Sequence, residues 1–197
     1  NMSGIIIPRC EWRTFGKEFG DAENRIKKNP QGNFKRSDEK YILSANSDEN
    51  CKIRDDLMDV KSLQQVNDDK LEQWFPTLKE GFPIAKESVI SLFTNYFKVP
   101  VPADLKDSYT YEEFVALSEQ QPDLKVVDVH KERFIFTINM AIVEIAETTF
   151  NGVADRTICV EHTDPEVVME TVRKLGLEGY ENINYIQAMK RAVGLRR

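Results

Sequence analysis

Cysteine and histidine, the residues most used for zinc binding and nucleophilic catalysis, are scarce in this sequence of 197 residues. Cys10, Cys51 and Cys159 are odd in number, far apart and in no CxxC pattern, which argues against a disulfide framework and a zinc site. This usage fits a reducing compartment. The only two histidines, His130 and His162, are too few for a histidine metal cluster, so structural or solvent-exposed roles are expected.

The sequence also lacks the glycine-rich motifs with which many proteins bind phosphate. Neither GxxxxGK[ST] nor GxGxxG occurs, so a phosphate ligand would have to be bound by side chains. No apolar run approaches the length of a membrane span or a signal-peptide core. A net charge of -6 gives no sign of nucleic-acid binding. These absences predict a cytoplasmic protein without a membrane or nucleic-acid partner.

Length and the order of elements predict one α+β domain over residues 1–197. The C-terminal helices have clear signals, because Asp164 precedes Pro165, Gly176 ends the first helix, and Asn182 can cap the second. Thr110 begins a capping box for a shorter helix. Strands are predicted at 5–15, 40–44, 51–54, 57–63 and 156–161, with two more in 124–150 joined near 137–140. Helices are predicted at 68–80 and 85–97, with a weaker one at 17–28 before a loop at 29–33.

Charged residues recur at every second position of four predicted strands, so that they share one face of each strand. The charged residues of these faces are Arg9, Glu11, Arg13, Lys52, Arg54, Asp59, Lys61, Lys131 and Arg133. One interpretation is a set of amphipathic strands whose charges lie in water, which is what such alternation usually indicates. The other is a closed antiparallel barrel with a charged interior and an apolar outer face covered by helices.

The second interpretation has an energetic consequence, because an unpaired charge buried in protein costs several kcal/mol. Converging cations in a barrel would need water, carboxylates or a bound polyanion. A polyphosphate meets that need, since arginine gives bidentate hydrogen bonds to phosphate oxygens and lysine gives a compact point charge.

The motifs on these strands resemble those of the CYTH proteins, also called triphosphate tunnel metalloenzymes. CEWRTF stands where the family has an opening E-x-E-x-K-F strand, CKIR at its R-x-R strand, and MDVK at the next strand. HKER corresponds to K-x-R and TICVE to a late E-x-E strand, while GLEGYENINYIQAMK is similar to the closing segment. The resemblance implies a closed eight-stranded antiparallel β-barrel, or tunnel, with a polar, basic lumen and flanking helices.

The resemblance also implies roles for individual residues. Phosphate oxygens would be neutralised by Arg9, Arg13, Lys52, Arg54, Lys61, Lys131 and Arg133. Mg²⁺ or Mn²⁺ would be held by the catalytic residues Glu11 and Glu161, with Glu144 or Glu147 as a third carboxylate. Arg9 and Cys159 stand where the family has metal-binding carboxylates, so the metal site is expected to be reduced and weaker. Glu72 resembles an acidic position of the fifth strand, although its segment is also typical of a helix.

Three functions follow as hypotheses. The first is a metal-dependent triphosphatase acting on inorganic triphosphate or a nucleoside triphosphate, with cyclisation of ATP as a less favoured variant. The second is a non-catalytic module that binds polyphosphate or a nucleotide and has lost part of its metal site. The third is a scaffold whose polar lumen is neutralised internally.

Overall fold

Eight antiparallel strands close into a barrel in the computed structural model, which describes residues 7–195. In chain order the elements are β1 (Cys10–Gly16), α1 (Gly20–Lys27), β2 (Gln31–Ser44), β3 (Asn50–Arg54), β4 (Leu57–Val66), β5 (Glu72–Gly81), β6 (Ile84–Ala85), α2 (Lys86–Ser91), β7 (Ser108–Tyr109), α3 (Tyr111–Glu119), β8 (Leu124–Ile138), β9 (Ala141–Phe150), β10 (Val153–His162), α4 (Pro165–Lys174) and α5 (Tyr185–Val193). The strand order around the barrel is β1-β10-β9-β8-β2-β3-β4-β5, while β6 and β7 form a separate two-stranded sheet. The predicted α+β class and the eight-stranded antiparallel barrel are therefore confirmed.

Helices cover the outer face of the barrel because that face is apolar. Trp12 and Val160, on β1 and β10, lie in one buried cluster with Val168 of α4. A second cluster joins Met58 of β4 to Phe114 of α3 and to the helical segment around α2. Since side chains alternate along a strand, burying these apolar residues outside turns the charged residues inward. The interpretation of a charged barrel interior is thus confirmed.

An apolar cluster inside the barrel, called the floor below, includes residues of α5. The floor consists of Tyr41, Leu43, Val127, Val129, Phe150, Tyr185, Ile186 and Met189. The Tyr185 ring meets the Phe15 ring edge-on, with centroids 5.0 Å apart. The first residues of α5 therefore belong to the lining of the barrel.

The seam between β1 and β5 is narrow, because the two strands share only the pair Glu11 and Glu72. Residues just before α5 bond to the backbone of β1 beside this seam. The Ile183 N–H donates to the Arg13 carbonyl at 2.7 Å, and the Arg13 N–H donates to Asn182 Oδ1 at 3.1 Å. The prediction that Asn182 caps the last helix was therefore wrong, since its side chain serves β1. The cap is Asn184, whose Oδ1 accepts from the Gln187 N–H.

The predicted helix over 68–80 was also wrong, because residues 72–81 form β5. Pairing along most of β4 outweighs the helical spacing of the apolar residues, and Pro76 lies where the register shifts, a position that strands tolerate. The predicted loop at 29–33 is shorter than expected, since β2 already begins at Gln31. The predicted strand at 5–15 begins at Cys10, and its residues 5 and 6 lie outside the described part of the chain.

Other local predictions were confirmed. Thr110 forms the capping box with Glu113, and Asp164 caps α4. The hairpin between β8 and β9 turns at Asn139 and Met140, both with positive φ. The helix predicted at 85–97 is α2 followed by a π-helical segment, and the weak helix at 17–28 is α1. Among residues 7–195, no helix has both the length and the apolar composition to cross a bilayer.

Candidate functional site

Two carboxylates and a thiol meet at one end of the lumen. Glu11 of β1 is paired in register with Glu161 of β10, and Arg13 with Cys159. Ligand atoms of Glu11, Cys159 and Glu161 all lie within 4.8 Å of one another. Burial and the negative charge of Glu11 raise the pKa of Glu161, although the positive charges of Arg13 and Arg9 oppose the shift. This carboxylate cluster (Glu11, Cys159 and Glu161) brings together both predicted catalytic residues.

Arginines already pair with the carboxylates around this cluster. Arg9 Nη1 lies 3.3 Å from Glu161 Oε1, and Arg13 Nε lies 3.2 Å from Glu11 Oε2. Glu144 is bound by Arg133 at 2.6 Å and lies 3.6 Å from Arg13. These ion pairs neutralise much of the negative charge of Glu11, Glu144 and Glu161.

Glu144, predicted as a third metal ligand, lies outside the carboxylate cluster as the structure describes it. Burial would raise its pKa, but the charges of Arg13 and Arg133 outweigh burial and lower the pKa of Glu144. The carboxylate is therefore ionised and bound to guanidinium groups. The alternative third carboxylate, Glu147, is bound 2.9 Å from Arg156, which also pairs with Glu23 of α1 on the outer face.

Arg13 is a buried cation of the lumen, exposed to the same small extent as Lys131. Besides its two carboxylates it donates to Thr157 Oγ1 at 3.0 Å, and its Cζ lies 4.4 Å from the centroid of the Tyr185 ring. Although burial disfavours the charge, the surrounding acidic groups, the Cys159 thiol first among them, raise the pKa of Arg13 well above its usual value. Arg13 therefore stays charged between the carboxylate cluster and the apolar floor.

Further from this cluster lies an inner basic group, which comprises Lys52, Arg54, Lys61 and Lys131. Lys131 forms an ion pair with Glu39 at 2.9 Å, donates to the Tyr41 hydroxyl at 2.7 Å, and lies 4.4 Å from the Tyr185 ring centroid. Arg54 lies 3.6 Å from the same Glu39 carboxylate. One carboxylate thus serves two of the four cations.

Lys52 forms no ion pair with any residue of the described range 7–195. Burial, followed by the positive charges of Lys131, Arg54 and Lys61, lowers the pKa of Lys52 from 10.5 to about 8, although Glu39 opposes the shift. The three neighbouring cations add to the effect of burial, so Lys52 lies among like charges. The inner basic group therefore has the electrostatics of an anion site.

Sequence reasoning missed several residues of the lumen. Glu39 and Lys35 lie on the inward face of β2, and their alternation with Ser37 was visible in the sequence, but residues 34–39 were assigned to no predicted element. Tyr185 lies in the segment GLEGYENINYIQAMK, which was matched to the family's closing segment, but no role in the lumen was predicted for it. Glu72 does belong to the lumen seam, where both of its oxygens accept hydrogen bonds from Asn184 Nδ2 at 3.1 Å.

The carboxylate cluster can be tested for its fit to Mg²⁺ or Mn²⁺. Hard cations take oxygen ligands, and Mg²⁺ usually combines one or two protein carboxylates with water and substrate phosphates. Glu11 and Glu161 meet that minimum, whereas burial and the nearby carboxylates keep the pKa of the Cys159 thiol well above its usual value, with Arg13 opposing. The residues therefore fit an ion that shares its ligands with a phosphate, rather than one enclosed by protein.

No family model matches the chain, and no curated protein matches it. Solved structures do match it over nearly their whole length. The PH1012 protein from Pyrococcus horikoshii has 17% identity and a TM-score of 0.51, covering 96% of this chain and 99% of its own. HpAC1 from Hippeastrum has 12% identity, a TM-score of 0.51 and coverages of 93% and 96%. A Bacillus halodurans protein provisionally named an adenylate cyclase has 14% identity and a TM-score of 0.50. The match covers 92% of this chain and 96% of that protein.

These similarities, together with the closed barrel, define the class of fold. The chain shares the fold of these proteins, and its closed eight-stranded barrel is the architecture that the resemblance of its strand motifs implied. HpAC1 is described as having a dominant triphosphatase activity. At such low identities the similarity establishes the fold, and the chemistry has to be argued from the residues of this lumen.

The lowered pKa of Lys52 predicts a pH-dependent stability. Between about pH 8 and 10.5 the unfolded chain binds more protons at this residue than the folded chain, so folding stability rises with pH there. Lys52→Met should stabilise the protein most below pH 8, and its advantage should shrink as the pH approaches 10.5. Urea unfolding across this pH range measures the difference in the free energy of unfolding between Lys52→Met and the parent. Lys125→Met, at an exposed position, is the control. A gain that does not change with pH would contradict the assignment.

The hydroxyl groups of Tyr41 and Tyr185 should contribute differently to the free energy of unfolding. The buried Tyr185 hydroxyl has no hydrogen-bond partner within the described range, whereas the Tyr41 hydroxyl accepts from Lys131. Removing a partnered group costs about 1 kcal/mol, while removing an unpartnered one costs little or stabilises. In urea unfolding at pH 7, Tyr41→Phe should therefore lose about 1 kcal/mol and Tyr185→Phe should lose nothing. Equal losses would show that the two hydroxyls are in equivalent environments.

Proposed function

We propose that this chain binds the triphosphate group of inorganic triphosphate or of a nucleoside triphosphate in its lumen, and hydrolyses a phosphoanhydride bond. The observation that carries the proposal is the inner basic group, where Lys131 and Arg54 pair with the single carboxylate of Glu39, while Lys52 and Lys61 form no ion pair among residues 7–195. A bound polyanion would compensate this excess of positive charge. Confinement strengthens the attraction, because charges in a lumen are screened less than on a surface.

The proposed phosphate-binding residues differ in the ion pairs that they form within the protein. Lys131 and Arg54 would share their charge between Glu39 and phosphate oxygens. Lys52 and Lys61, which have no ion pair among the described residues, would turn wholly to phosphate. Arg9 has a side chain that is 55% exposed and a single ion pair to Glu161, so it can exchange that carboxylate for a phosphate oxygen. Arg13 and Arg133 would complete the set.

Glu11 and Glu161 would hold Mg²⁺ or Mn²⁺ together with phosphate oxygens. When bound, such an ion polarises the phosphate and positions water. The work of the chain itself is to hold the two carboxylates within reach of each other across β1 and β10 and to keep the phosphates in line with them. Phosphoryl transfer depends mainly on such positioning and on charge stabilisation.

Hydrolysis is favoured over cyclisation of ATP because the fold is shared with HpAC1, whose reported dominant activity is that of a triphosphatase. Binding without hydrolysis is the second candidate. It is favoured by the ion pairs of Glu11, Glu144 and Glu161 with arginines, and by Cys159 at a position where the resemblance implies a carboxylate. The two candidates share the anion site and differ in whether a divalent ion binds.

If the lumen binds a chain of phosphates, triphosphate should stabilise the fold far more than monophosphate. At a hundred times its dissociation constant, a ligand of the native state adds about 2.7 kcal/mol. Thermal melts with phosphate, pyrophosphate and triphosphate at matched ionic strength measure the effect. Equal shifts for all three anions would leave only the scaffold hypothesis.

A phosphate-release assay separates hydrolase from binder. Release from triphosphate, ATP or GTP should require Mg²⁺ or Mn²⁺ and disappear with EDTA. Glu161→Gln should lower release by about a hundredfold or more, because polarisation by a metal ion is worth several kcal/mol. Its matched control is Glu147→Gln, on the outer face of the neighbouring strand β9.

Retained triphosphate binding in Glu161→Gln would locate the defect in the metal site rather than in the fold. Release that persists without a divalent ion would contradict the roles given to Glu11 and Glu161. Binding without any release would establish the second candidate function.

A further inference from the structure

A cavity of about 240 Å³ opens beside the carboxylate cluster. Its lining combines the predicted residues Arg9, Arg133 and Glu161 with a lysine of β2, Lys35, that no motif pointed to. Lys35 lies on the same strand face as Ser37 and Glu39, which is the inward face, because Glu39 bonds to Lys131 inside the lumen. The exposed Lys35 therefore stands at the mouth of the tunnel.

Lys35 extends a row of cations that begins in the inner basic group. Lys131 is paired in register with Ser37, and the next inward position of β8, Arg133, is paired with Lys35. Two residues along a strand span about 7 Å. A linear polyanion that starts at Lys131 and follows β8 towards the carboxylate cluster would reach Arg133 and Lys35 at the same level, one on each of two adjacent strands.

The pairing of Lys35 with Arg133 places two positive charges opposite each other on adjacent strands. Such like-charge pairs are destabilising. Arg133 is neutralised by Glu144, but Lys35 forms no ion pair within residues 7–195. An anion between the strands would turn this unfavourable pair into a favourable site. The adjacent Arg36 differs, because it points outward and lies 3.5 Å from Glu132.

We propose that Lys35 is a further phosphate-binding residue, which holds the end of the phosphate chain beside Glu161. This inference rests on the proposed function and adds to it a preference for triphosphate over pyrophosphate. Because the inner basic group can hold the first phosphates without Lys35, the lysine should matter for a third phosphate and not for a second. Lys35 thereby contributes to selecting triphosphates over pyrophosphate.

Calorimetry with inorganic pyrophosphate and triphosphate tests the preference, with EDTA present and at low ionic strength. Lys35→Met should weaken triphosphate binding by about three- to tenfold, as expected for a charged contact at an exposed position. Pyrophosphate binding should change by less than about twofold. The matched control Arg36→Met alters the adjacent residue on the other face of the strand, and it should leave both affinities unchanged.

The melting temperatures of the free proteins provide a second readout. Lys35→Met should be at least as stable as the parent, because it removes a like-charge pair. Equal weakening for both anions would overturn the inference, since it would show a general effect of charge. An unchanged triphosphate affinity in Lys35→Met would overturn it while leaving the proposed function intact. Failure of the parent itself to bind triphosphate would instead overturn the proposed function, and the inference with it.

Discussion

The guanidinium group of Arg13 is the interaction on which most of this barrel depends. A barrel that turns charged side chains inward must compensate them, because each unpaired buried charge costs several kcal/mol. Arg13 pairs with Glu11 and Glu144, bonds to Thr157 and stacks on Tyr185. It therefore joins the carboxylate cluster to the apolar floor. Its backbone also receives the segment before α5, so the same residue links lumen and seam.

Compensation of this kind opposes metal binding while favouring anion binding. Each arginine that neutralises a carboxylate lowers the attraction of the lumen for a divalent cation. A triphosphate reverses the balance, since its oxygens can take over arginines such as Arg9 and release Glu161. The anion and the cation are therefore expected to bind in support of each other, because each removes a charge that opposes the other. A divalent ion that binds without triphosphate lacks this compensation, because the arginines stay paired with the carboxylates.

The alternation of charges in short strands left both solvated strands and a closed barrel open, and the resemblance of the strand motifs to the CYTH proteins favoured the barrel. The alternation correctly assigned the inward faces of β1, β3 and β8. It failed for β5, whose apolar residues have helical spacing and whose strand state comes from pairing with β4. It also missed the first half of β2, because Pro30 and Gly32 indicated a loop at 29–33 and residues 34–39 were assigned to no element. Lys35 lies in that unassigned stretch. Such errors arise because tertiary pairing, which no local pattern encodes, decides ambiguous segments.

The C-terminal helix is coupled to the site through one side chain. Asn184 caps α5 with its oxygen and donates its amide nitrogen to Glu72, the residue opposite Glu11 at the seam. Burial raises the pKa of Glu72, and the charge of Glu11 contributes to that rise, while the bonds from Asn184 and Trp74 counter it. The cap thus favours the ionised form of a carboxylate that faces another. Because Tyr185 follows Asn184 directly, a displacement of α5 would move the Tyr185 ring that contacts Arg13 and Lys131. The same displacement would weaken the hydrogen bonds from Asn184 to Glu72. The tunnel and its last helix are therefore expected to respond to a ligand as one unit.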